Sequence, residues 1–393
     1  MAERRTVLIA GAGIGGLTAA LALTARGFRV VLCERSAEPS ELGAGIQLSP
    51  NAGHVLAELG LESEIARTAV EPAAIEVRSG GSERILTSLP CHLFRERYGQ
   101  PWRVIHRGDL QALLLDAVRR DREISLRPGT TVQALMTRPA GHFARLERAG
   151  GTDVIPVAAL VGADGIRSET RGRIAGAAPP QPLGRTAWRA LVPIAGFPKS
   201  VPSDRVVLWL GRHAHLVAYP VSAGRAVNVV AIVEDAWDQP GWNASGEPDA
   251  IGELFAAWTT GAKAVIASAP AWWKYALAAV DPRGPWTAGP VALLGDAAHA
   301  MAPFLAQGGA MAIEDAAVLA GCLANDPDAE SAFRKYEALR KPRVTRIAAK
   351  AERTGAVYHW GQPLALVRDM ALRVFGPRLI VRQNDPIYRW RRP

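Results

Sequence analysis

The glycines near the start of the chain have the spacing that a dinucleotide pyrophosphate requires. Residues 11–16 read Gly-Ala-Gly-Ile-Gly-Gly and follow a short apolar run. In such a segment the first glycine permits a tight turn, the second lets the backbone approach the pyrophosphate, and the third allows a helix to pack closely on the strand. Glu34 ends the next apolar run, where a carboxylate can accept hydrogen bonds from both ribose hydroxyls. The pattern predicts a dinucleotide site, without separating FAD from NAD, whose contacts are Gly11, Gly13, Ile14, Gly16, Glu34 and Arg35.

A second turn that contains glycine is centred on Asp164 and follows the apolar run Ala-Leu-Val-Gly. Arg167 and Arg171 come shortly afterwards. A carboxylate and two guanidinium groups therefore stand at the carboxyl end of a predicted strand, the edge at which open α/β sheets bind ligands. The alternative interpretation is an ordinary β-turn with Asp-Gly at its tip.

A third segment, Leu-Gly-Asp-Ala-Ala-His at residues 294–299, places Asp296 after another apolar run. Pro303 and then Gly308 and Gly309 follow, before a predicted helix. The glycines let the backbone approach a planar ring, and the helix dipole favours negative charge on that ring. His299 is expected to cap the loop rather than to catalyse.

These three segments, in this order, resemble the fingerprints of the FAD-dependent aromatic hydroxylases with the para-hydroxybenzoate hydroxylase fold. Within that family the chain is similar to salicylate hydroxylase and 6-hydroxynicotinate 3-monooxygenase. Residues 43–52, 106–111 and 336–343 resemble further segments of the family, so that the resemblance covers about residues 5–360.

The resemblance implies that the dinucleotide is FAD. It implies that Asp164 meets the FAD side of the cleft, and that Asp296 binds the ribityl hydroxyls. Arg107 and Gln47 are expected to contact FAD as well, although some relatives have a histidine where this chain has Gln47. The loop at residues 306–309 also departs from the commoner form in salicylate hydroxylases, and both differences bear on which substrate is accepted.

The chemistry that the resemblance implies is hydroxylation of a small aromatic substrate, phenolic or hydroxypyridine and carrying a carboxylate. NADH or NADPH would reduce FAD, O2 would add to form a C4a-hydroperoxide, and its distal oxygen would attack an electron-rich ring carbon. The protein must exclude water and help to deprotonate a ring hydroxyl.

Candidate substrate residues lie in the strand-like run at residues 212–220. Alternation predicts that His213, His215, Val217 and Tyr219 share one face of a strand. His215 and Tyr219 match a His-x-x-x-Tyr pair that lines the substrate cavity in relatives, which implies His215 as base and Tyr219 as a residue that orients the ring. The alternative is a strand whose polar face is solvated or hydrogen-bonded. No metal is expected, because the two histidines have no third ligand in view.

Two further residues complete the expected substrate side of the site. Pro303 is expected between flavin and substrate, and Arg189 is a candidate anchor for a carboxylate, with a structural ion pair as its alternative. Trp272 and Trp273 are assigned to core packing rather than to the cavity wall.

The elements that must position these residues indicate an α/β fold. Residues 6–34 form one strand-helix-strand unit, which predicts a parallel, Rossmann-type sheet for FAD. Strand-like runs 131–136, 143–146 and 154–161 follow, and alternating runs after residue 176 predict an inserted antiparallel sheet that forms the substrate domain. The C-terminal region is predicted to be helical. The expected domains are FAD-binding 1–72, 99–176 and 284–330, substrate 73–98 and 177–283, and C-terminal helices 331–393.

Composition argues against a nucleic-acid-binding, zinc-binding, disulfide-rich or membrane-spanning protein. The chain has 393 residues, a formal net charge of +9 and three cysteines. The arginines are dispersed, and the densest run, at residues 389–392, reads as a solvated tail, so nucleic acid is not an expected partner. No cysteine spacing suits a zinc site or a disulfide framework, in keeping with the cytoplasm. Glycines interrupt the apolar stretch at 6–25, so no membrane span is expected, and the protein is expected to be a monomer or homodimer.

Two other functions remain open at this point. One is an oxygenase or epoxidase of a larger polycyclic or isoprenoid substrate, which the same fold can serve. The other is a flavoprotein that oxidises NAD(P)H without oxygenating a substrate.

Overall fold

The structure is a computed structural model that describes residues 5–38 and 45–392. Gly43 and Ala44, in the family-like segment 43–52, lie outside the described residues.

Strands and helices alternate in the first third of the chain, whereas later most strands precede a run of helices at the C-terminal end. The strands are β1 (Thr6–Ala10), β2 (Arg29–Glu34), β3 (Gly45–Leu48), β4 (Ala74–Ser79), β5 (Ile85–Pro90), β6 (Arg103–His106), β7 (Ile124–Pro128), β8 (Thr130–Arg138), β9 (Gly141–Arg148), β10 (Gly151–Val157), β11 (Ala159–Gly162), β12 (Pro180–Pro193), β13 (Val206–Gly211), β14 (Ala214–Val221), β15 (Ala226–Glu234), β16 (Asn243–Gly246), β17 (Trp272–Val280), β18 (Thr287–Ala288) and β19 (Val291–Leu293). The helices are α1 (Ile14–Thr24), α2 (Pro50–Glu58), α3 (Glu62–Thr68), α4 (His92–Tyr98), α5 (Arg107–Arg120), α6 (Pro248–Leu254), α7 (Thr260–Ala267), α8 (Asp296–His299), α9 (Gly308–Asn325), α10 (Ala329–Tyr358) and α11 (Leu364–Tyr388).

The predicted Rossmann-type sheet is confirmed, with the strand order β18-β19-β11-β1-β2-β7. Its strands are parallel except for β18 at one edge. The apolar run of β1 is buried on both faces, which is typical of a parallel sheet covered by helices. Ala10 at the end of β1 pairs with Cys33 and Gly162, so the carboxyl ends of three strands meet around the glycine loop.

The run at residues 154–161 was expected to form a single strand, and the structure divides it between two sheets. β10 pairs with β9 in a three-stranded antiparallel sheet, whereas β11 pairs with β1. Ala158 lies between them, and its N–H donates to the carbonyl of Thr6. The strand changes its pairing partner at Ala158, from β9 to β1, but the sequence stays apolar on both sides of that point. The local pattern therefore gives no sign of the division.

The second large sheet has eight strands in the order β16-β17-β12-β15-β14-β13-β4-β5. It is antiparallel, as expected, except that β4 pairs in parallel with β13. β4 and β13 are far apart in the chain and are not joined by a hairpin, so their pairing does not have to be antiparallel. The domain boundaries given above remain a prediction.

The predicted C-terminal helices are confirmed as α10 and α11. The arginines near the C-terminus are exposed, as expected for a solvated segment, and two of them also make contacts: Arg391 donates to the carbonyl of Tyr98, and Arg392 pairs with Glu58. Among the described residues, no helix combines the length and apolar character needed to cross a bilayer.

Candidate active site

A cavity of about 560 Å³ opens where the carboxyl ends of the parallel strands face the eight-stranded sheet. This volume lies in the usual range for sites that bind small molecules and cofactors. The residues that line it come from both sheets and from the loops that carry the three glycine-containing segments. Every predicted cofactor residue except Gly16 lines the cavity: Gly11, Gly13, Ile14, Glu34, Arg35, Gln47, Arg107, Asp164, Asp296, Gly308 and Gly309.

The first glycine loop is a tight turn between β1 and α1. Gly11 has a φ of +103°, a backbone conformation that side chains disfavour, and a Cβ there would overlap the backbone at Ala163. A Cβ on Gly16 would overlap the carbonyl of Gly11, so Gly16 lets α1 pack against the turn from behind the cavity. The Glu34 carboxylate accepts hydrogen bonds from the N–H groups of Ala12 (2.8 Å) and Ser36 (2.9 Å). Each oxygen keeps a lone pair for a ribose hydroxyl.

The Asp164 carboxylate organises its own loop. One oxygen accepts from the Ser168 hydroxyl at 2.5 Å, and the other accepts from the N–H (3.0 Å) and the hydroxyl (2.9 Å) of Thr170. Arg171 is buried and donates to the carbonyls of Ala297 (3.0 Å) and Ile166 (2.5 Å), so that it joins this loop to the third glycine segment. Both acidic and basic groups therefore fix the shape of the cavity edge here.

The third segment brings a helix N-terminus to the cavity. Helix α9 begins at Gly308, and a Cβ on Gly309 would lie 2.5 Å from Cδ1 of Ile46. Asp296 is exposed toward the cavity at the start of the short helix α8. Because no acidic residue occupies the first turn of α9, its positive end remains available to a negatively charged group.

Buried polar side chains hold the loop before α9 in place. Gln307 donates to the hydroxyl of Ser49 (2.9 Å) and accepts from the side-chain amide of Asn51 (3.1 Å). The same amide donates to Glu314 at 2.7 Å. His299 does not cap the loop alone, since its Nε2 lies 2.5 Å from Oδ2 of Asp315, which also accepts from the N–H of Gly295. The sequence placed Ser49 and Asn51 in the family-like segment 43–52 without giving either a role, and it did not single out Asp315.

The residues present fit a flavin dinucleotide. A turn without room for a Cβ at Gly11, a carboxylate with free lone pairs and a helix N-terminus without acidic residues are the features that a pyrophosphate, a ribose and an anionic ring require. Gln47 on β3 and Arg107 at the start of α5 lie on the remaining side of the cavity. No group of three or more His, Cys, Asp or Glu side chains in the described chain is placed to hold a metal ion.

The predicted substrate residues His215, Tyr219, Arg189 and Pro303 all line the same cavity. His215 and Tyr219 lie on β14 and are each 4% exposed. Burial, followed by the nearby His359 and Arg185, lowers the pKa of His215 well below its usual value. Burial raises the pKa of Tyr219, so its hydroxyl remains protonated at neutral pH. The guanidinium of Arg189 lies over the ring of Tyr275, 5.0 Å from its centroid.

His213 does not share the face of His215, and that expectation is wrong. Strand β14 begins at Ala214, and His213 occupies the preceding turn with a φ of +61°. Its exposed side chain lies with Nδ1 2.5 Å from Glu234. The turn rotates His213 out of the alternation that the sequence implies, and it does not line the cavity. Trp272 and Trp273 do not line it either. Trp272 packs in the core as expected, but the assignment of Trp273 to the core is wrong: it is 47% exposed, because successive side chains on β17 point to opposite faces.

Three residues next to His215 escaped sequence reasoning because they lie far away in the chain. The Nδ1 of His215 is 2.9 Å from Nε2 of His359, which follows the last residue of α10. The rings of Phe304 and Tyr358 pack against His215, with centroids 5.4 and 5.5 Å away. No local pattern relates these residues to His215.

Residues 4–351 match the family model described as FAD binding domain. The chain is 35% identical over 365 residues to 3-hydroxybenzoate 6-hydroxylase 1 of Aquipseudomonas alcaligenes, with 92% of each chain covered. It is 33% identical to 6-hydroxynicotinate 3-monooxygenase of Bordetella bronchiseptica, covering 88% of this chain and 90% of the relative.

Among solved structures, the fold is similar to Klebsiella pneumoniae HpxO complexed with FAD and uric acid. The TM-score is 0.83 at 26% identity, with 96% of this chain and 95% of that chain covered.

Proposed function

This chain belongs to the FAD-binding-domain family and is an FAD-dependent monooxygenase, and on that premise we propose that it hydroxylates a small aromatic carboxylic acid that carries a ring hydroxyl. The proposed co-substrates are O2 and NADH or NADPH. The observation that carries the proposal is that His215, Tyr219 and Arg189 line the same cavity as the three glycine-containing loops.

FAD would be held by the strand ends and loops of the parallel sheet. In this proposal Glu34 binds the ribose, the turn at Gly11 and the start of α1 accommodate the pyrophosphate, and Asp296 meets the ribityl chain. The start of α9, at Gly308, stabilises negative charge on the ring. When bound, FAD supplies the electron transfer from the nicotinamide to O2 and delivers one oxygen atom to the substrate.

The residues of the eight-stranded sheet would bind and activate the substrate. Arg189 would pair with the carboxylate, since a guanidinium is suited to bidentate recognition of that group. Tyr219, which stays protonated, would orient the ring by a hydrogen bond. His215, which burial keeps neutral, would accept the proton of the ring hydroxyl and so make the ring more nucleophilic. Val217, Val230, Ile232 and Met301 add apolar lining that excludes water.

The names of the relatives, a hydroxybenzoate hydroxylase and a hydroxynicotinate monooxygenase, favour a small substrate over a polycyclic or isoprenoid one.

The test is a substrate screen with the FAD-loaded enzyme. 3-Hydroxybenzoate, 6-hydroxynicotinate and salicylate would be incubated with NADH or NADPH and isotopically heavy O2, with benzoate as a matched control that has no ring hydroxyl. We expect nicotinamide oxidation that depends on the substrate, together with a product that carries one heavy oxygen atom. Release of hydrogen peroxide equal to the nicotinamide consumed, with every substrate tried, would instead indicate an uncoupled oxidase.

The variant Arg189→Met tests the binding of the carboxylate. Loss of a charged hydrogen bond of roughly 2–3 kcal/mol should raise the KM for the acid about 30- to 150-fold. The corresponding amide should be affected little, because it has no charge to lose. Equal effects on the acid and the amide would argue against an anchoring role.

A further inference from the structure

The side chain of His215 is the first member of a hydrogen-bonded series that leads out of the cavity. Its Nδ1 lies 2.9 Å from Nε2 of His359, and Nδ1 of His359 lies 3.1 Å from Oε1 of Glu234. Both histidines are buried, at 4% and 5% exposed, whereas the side chain of Glu234 is 34% exposed. The series therefore joins a buried ring in the cavity to a carboxylate that reaches solvent.

We propose that His359 and Glu234 form a proton path by which the proton of the substrate hydroxyl passes from His215 to solvent. The proposal deepens the function proposed above and rests on it, since it assigns the route that the proton takes after His215 accepts it. His359 and Glu234 do not line the cavity. They act through His215 and are positioning residues rather than catalytic ones.

The path requires one arrangement of ring protons. Neutral His215 carries its proton on Nδ1 and donates it to Nε2 of His359, which leaves Nε2 of His215 free to accept from the substrate. Neutral His359 likewise carries its proton on Nδ1 and donates to Glu234. When the substrate proton arrives at Nε2 of His215, the proton on Nδ1 moves to His359, and the one on Nδ1 of His359 moves to Glu234.

The balance of this step is one proton in and one proton out. The substrate becomes a phenolate, both imidazoles end neutral with their protons on Nε2, and Glu234 passes its proton to water. The reverse movement restores the first arrangement when the product leaves. No oxidant or reductant takes part, because the step moves only protons.

A path is needed because His215 is poorly placed to keep a positive charge. It is 4% exposed and packs against the rings of Phe304 and Tyr358, and within residues 5–38 and 45–392 its charged neighbours are His359 and Arg185 rather than a carboxylate. A buried cation without a counter-charge is costly. Transfer to Glu234 places the proton on an anion instead and leaves no buried charge on either ring.

The charged groups around the path act at its outer end. Arg185 lies 3.7 Å from Glu234, and its guanidinium also opposes protonation of His215 and His359. His213 contacts Oε2 of Glu234 through Nδ1, while its Nε2 accepts from Arg212 at 2.9 Å. His213 thus holds the carboxylate toward His359 from outside the cavity. Burial raises the pKa of Tyr358 to about 12, so this residue stays neutral throughout.

The backbone holds the three segments in register. The N–H of His213 donates to the carbonyl of His359, and the N–H of Glu234 donates to the carbonyl of His213. The end of α10 is thereby fixed to the turn before β14 and to the end of β15. A purely structural role would need only these backbone contacts, whereas the path also needs the side chains.

The first experiment measures proton release directly. FAD-loaded enzyme is mixed rapidly with 3-hydroxybenzoate in weakly buffered solution that contains a pH-indicator dye, while the flavin absorbance reports binding. His359→Gln and Glu234→Gln should slow proton release about 100-fold, in the range typical of lost acid–base assistance. Binding should be little changed. Glu234→Asp should restore part of the rate, and the control His142→Gln, on the separate sheet of β8–β10, should behave as wild type.

The second experiment needs no variant. In mixtures of H2O and D2O, the proton-release rate of the wild-type enzyme should decrease non-linearly with the fraction of D2O, as expected when several protons move together. A linear decrease with the fraction of D2O would contradict the path even if both variants proved unstable. Wild-type rates of proton release in both folded variants would also overturn it.

These outcomes are distinct from a failure of the proposed function. If wild-type enzyme binds 3-hydroxybenzoate without hydroxylating it or any other acid in the screen, the function is wrong. If wild-type enzyme hydroxylates the substrate and the variants release the proton at the wild-type rate, only the path is wrong.

Discussion

The Nε of Arg340 lies 2.6 Å from Oδ1 of Asp315, and both side chains are almost completely buried. Asp315 belongs to α9, whose N-terminus reaches the cavity, and Arg340 belongs to α10. Asp315 also contacts His299 and the N–H of Gly295. This ion pair therefore fixes the third glycine-containing loop from behind, at a distance from the proposed chemistry.

Replacing Arg340 with methionine should strongly destabilise the protein. The change leaves Asp315 and Glu314 buried beside it with one fewer positive charge, and breaking a buried pair in this way typically costs about 3–5 kcal/mol. The measurement is the free energy of unfolding from urea titration. The control is Arg334→Met, which removes an exposed pair with Glu330 and should cost at most about 1 kcal/mol. Similar losses in both variants would contradict this account.

The buried Asp315 should make stability fall in acid. Burial raises the pKa of this carboxyl, but the charges and hydrogen bonds of His299 and Arg340 outweigh that effect and hold it at about 2. Because the folded value lies below the unfolded one of about 4, the contribution is complete above pH ~4 and is lost as the pH falls toward 2. We expect a loss of roughly 2–3 kcal/mol over that interval. Urea titrations at several pH values should show a flatter profile for Asp315→Asn; parallel profiles would refute the assignment.

Replacing Glu34 with alanine should weaken the binding of FAD. Its carboxylate orders the glycine turn through Ala12 and is the proposed ribose ligand, so two charged hydrogen bonds are lost. We expect the Kd for FAD to rise at least about 10-fold, equivalent to 1.4 kcal/mol or more. Quenching of flavin fluorescence on titration with apoenzyme measures the change. Glu38→Ala, which alters an exposed side chain on the same loop, is the control and should bind FAD as wild type does.

Replacing Gly355 with alanine should disturb the wall of the cavity without removing any polar group. A Cβ at this position would lie 2.5 Å from Cδ2 of Phe304, whose ring packs against His215. Overpacking of this kind typically costs about 1–3 kcal/mol, and displacement of the ring should lower kcat/KM as well. Gly252→Ala, in a helix with open space around it, should instead be neutral or add about 0.5–1 kcal/mol of stability. Steady-state kinetics and thermal unfolding of both variants provide the comparison.

The sequence by itself determined the nucleotide half of the site. The glycine turn at residues 11–16, Glu34 and the segments around Asp164 and Asp296 each stand at the end of an apolar run. Parallel strands bring such ends to one edge, so local order along the chain was enough to predict that they line one cavity. His215 and Tyr219 were likewise found, because they match the His-x-x-x-Tyr pair of the relatives and their spacing places both on one face of a strand.

Only the tertiary structure decided what surrounds His215. His359 is separated from it by 144 residues of the chain, and Glu234 reaches the same point from another strand. His213, by contrast, was placed on the wrong side because one left-handed residue in a turn reverses the alternation. Contacts of this kind depend on how strands and helices pack across long separations, and the periodicity of neighbouring residues carries no record of them.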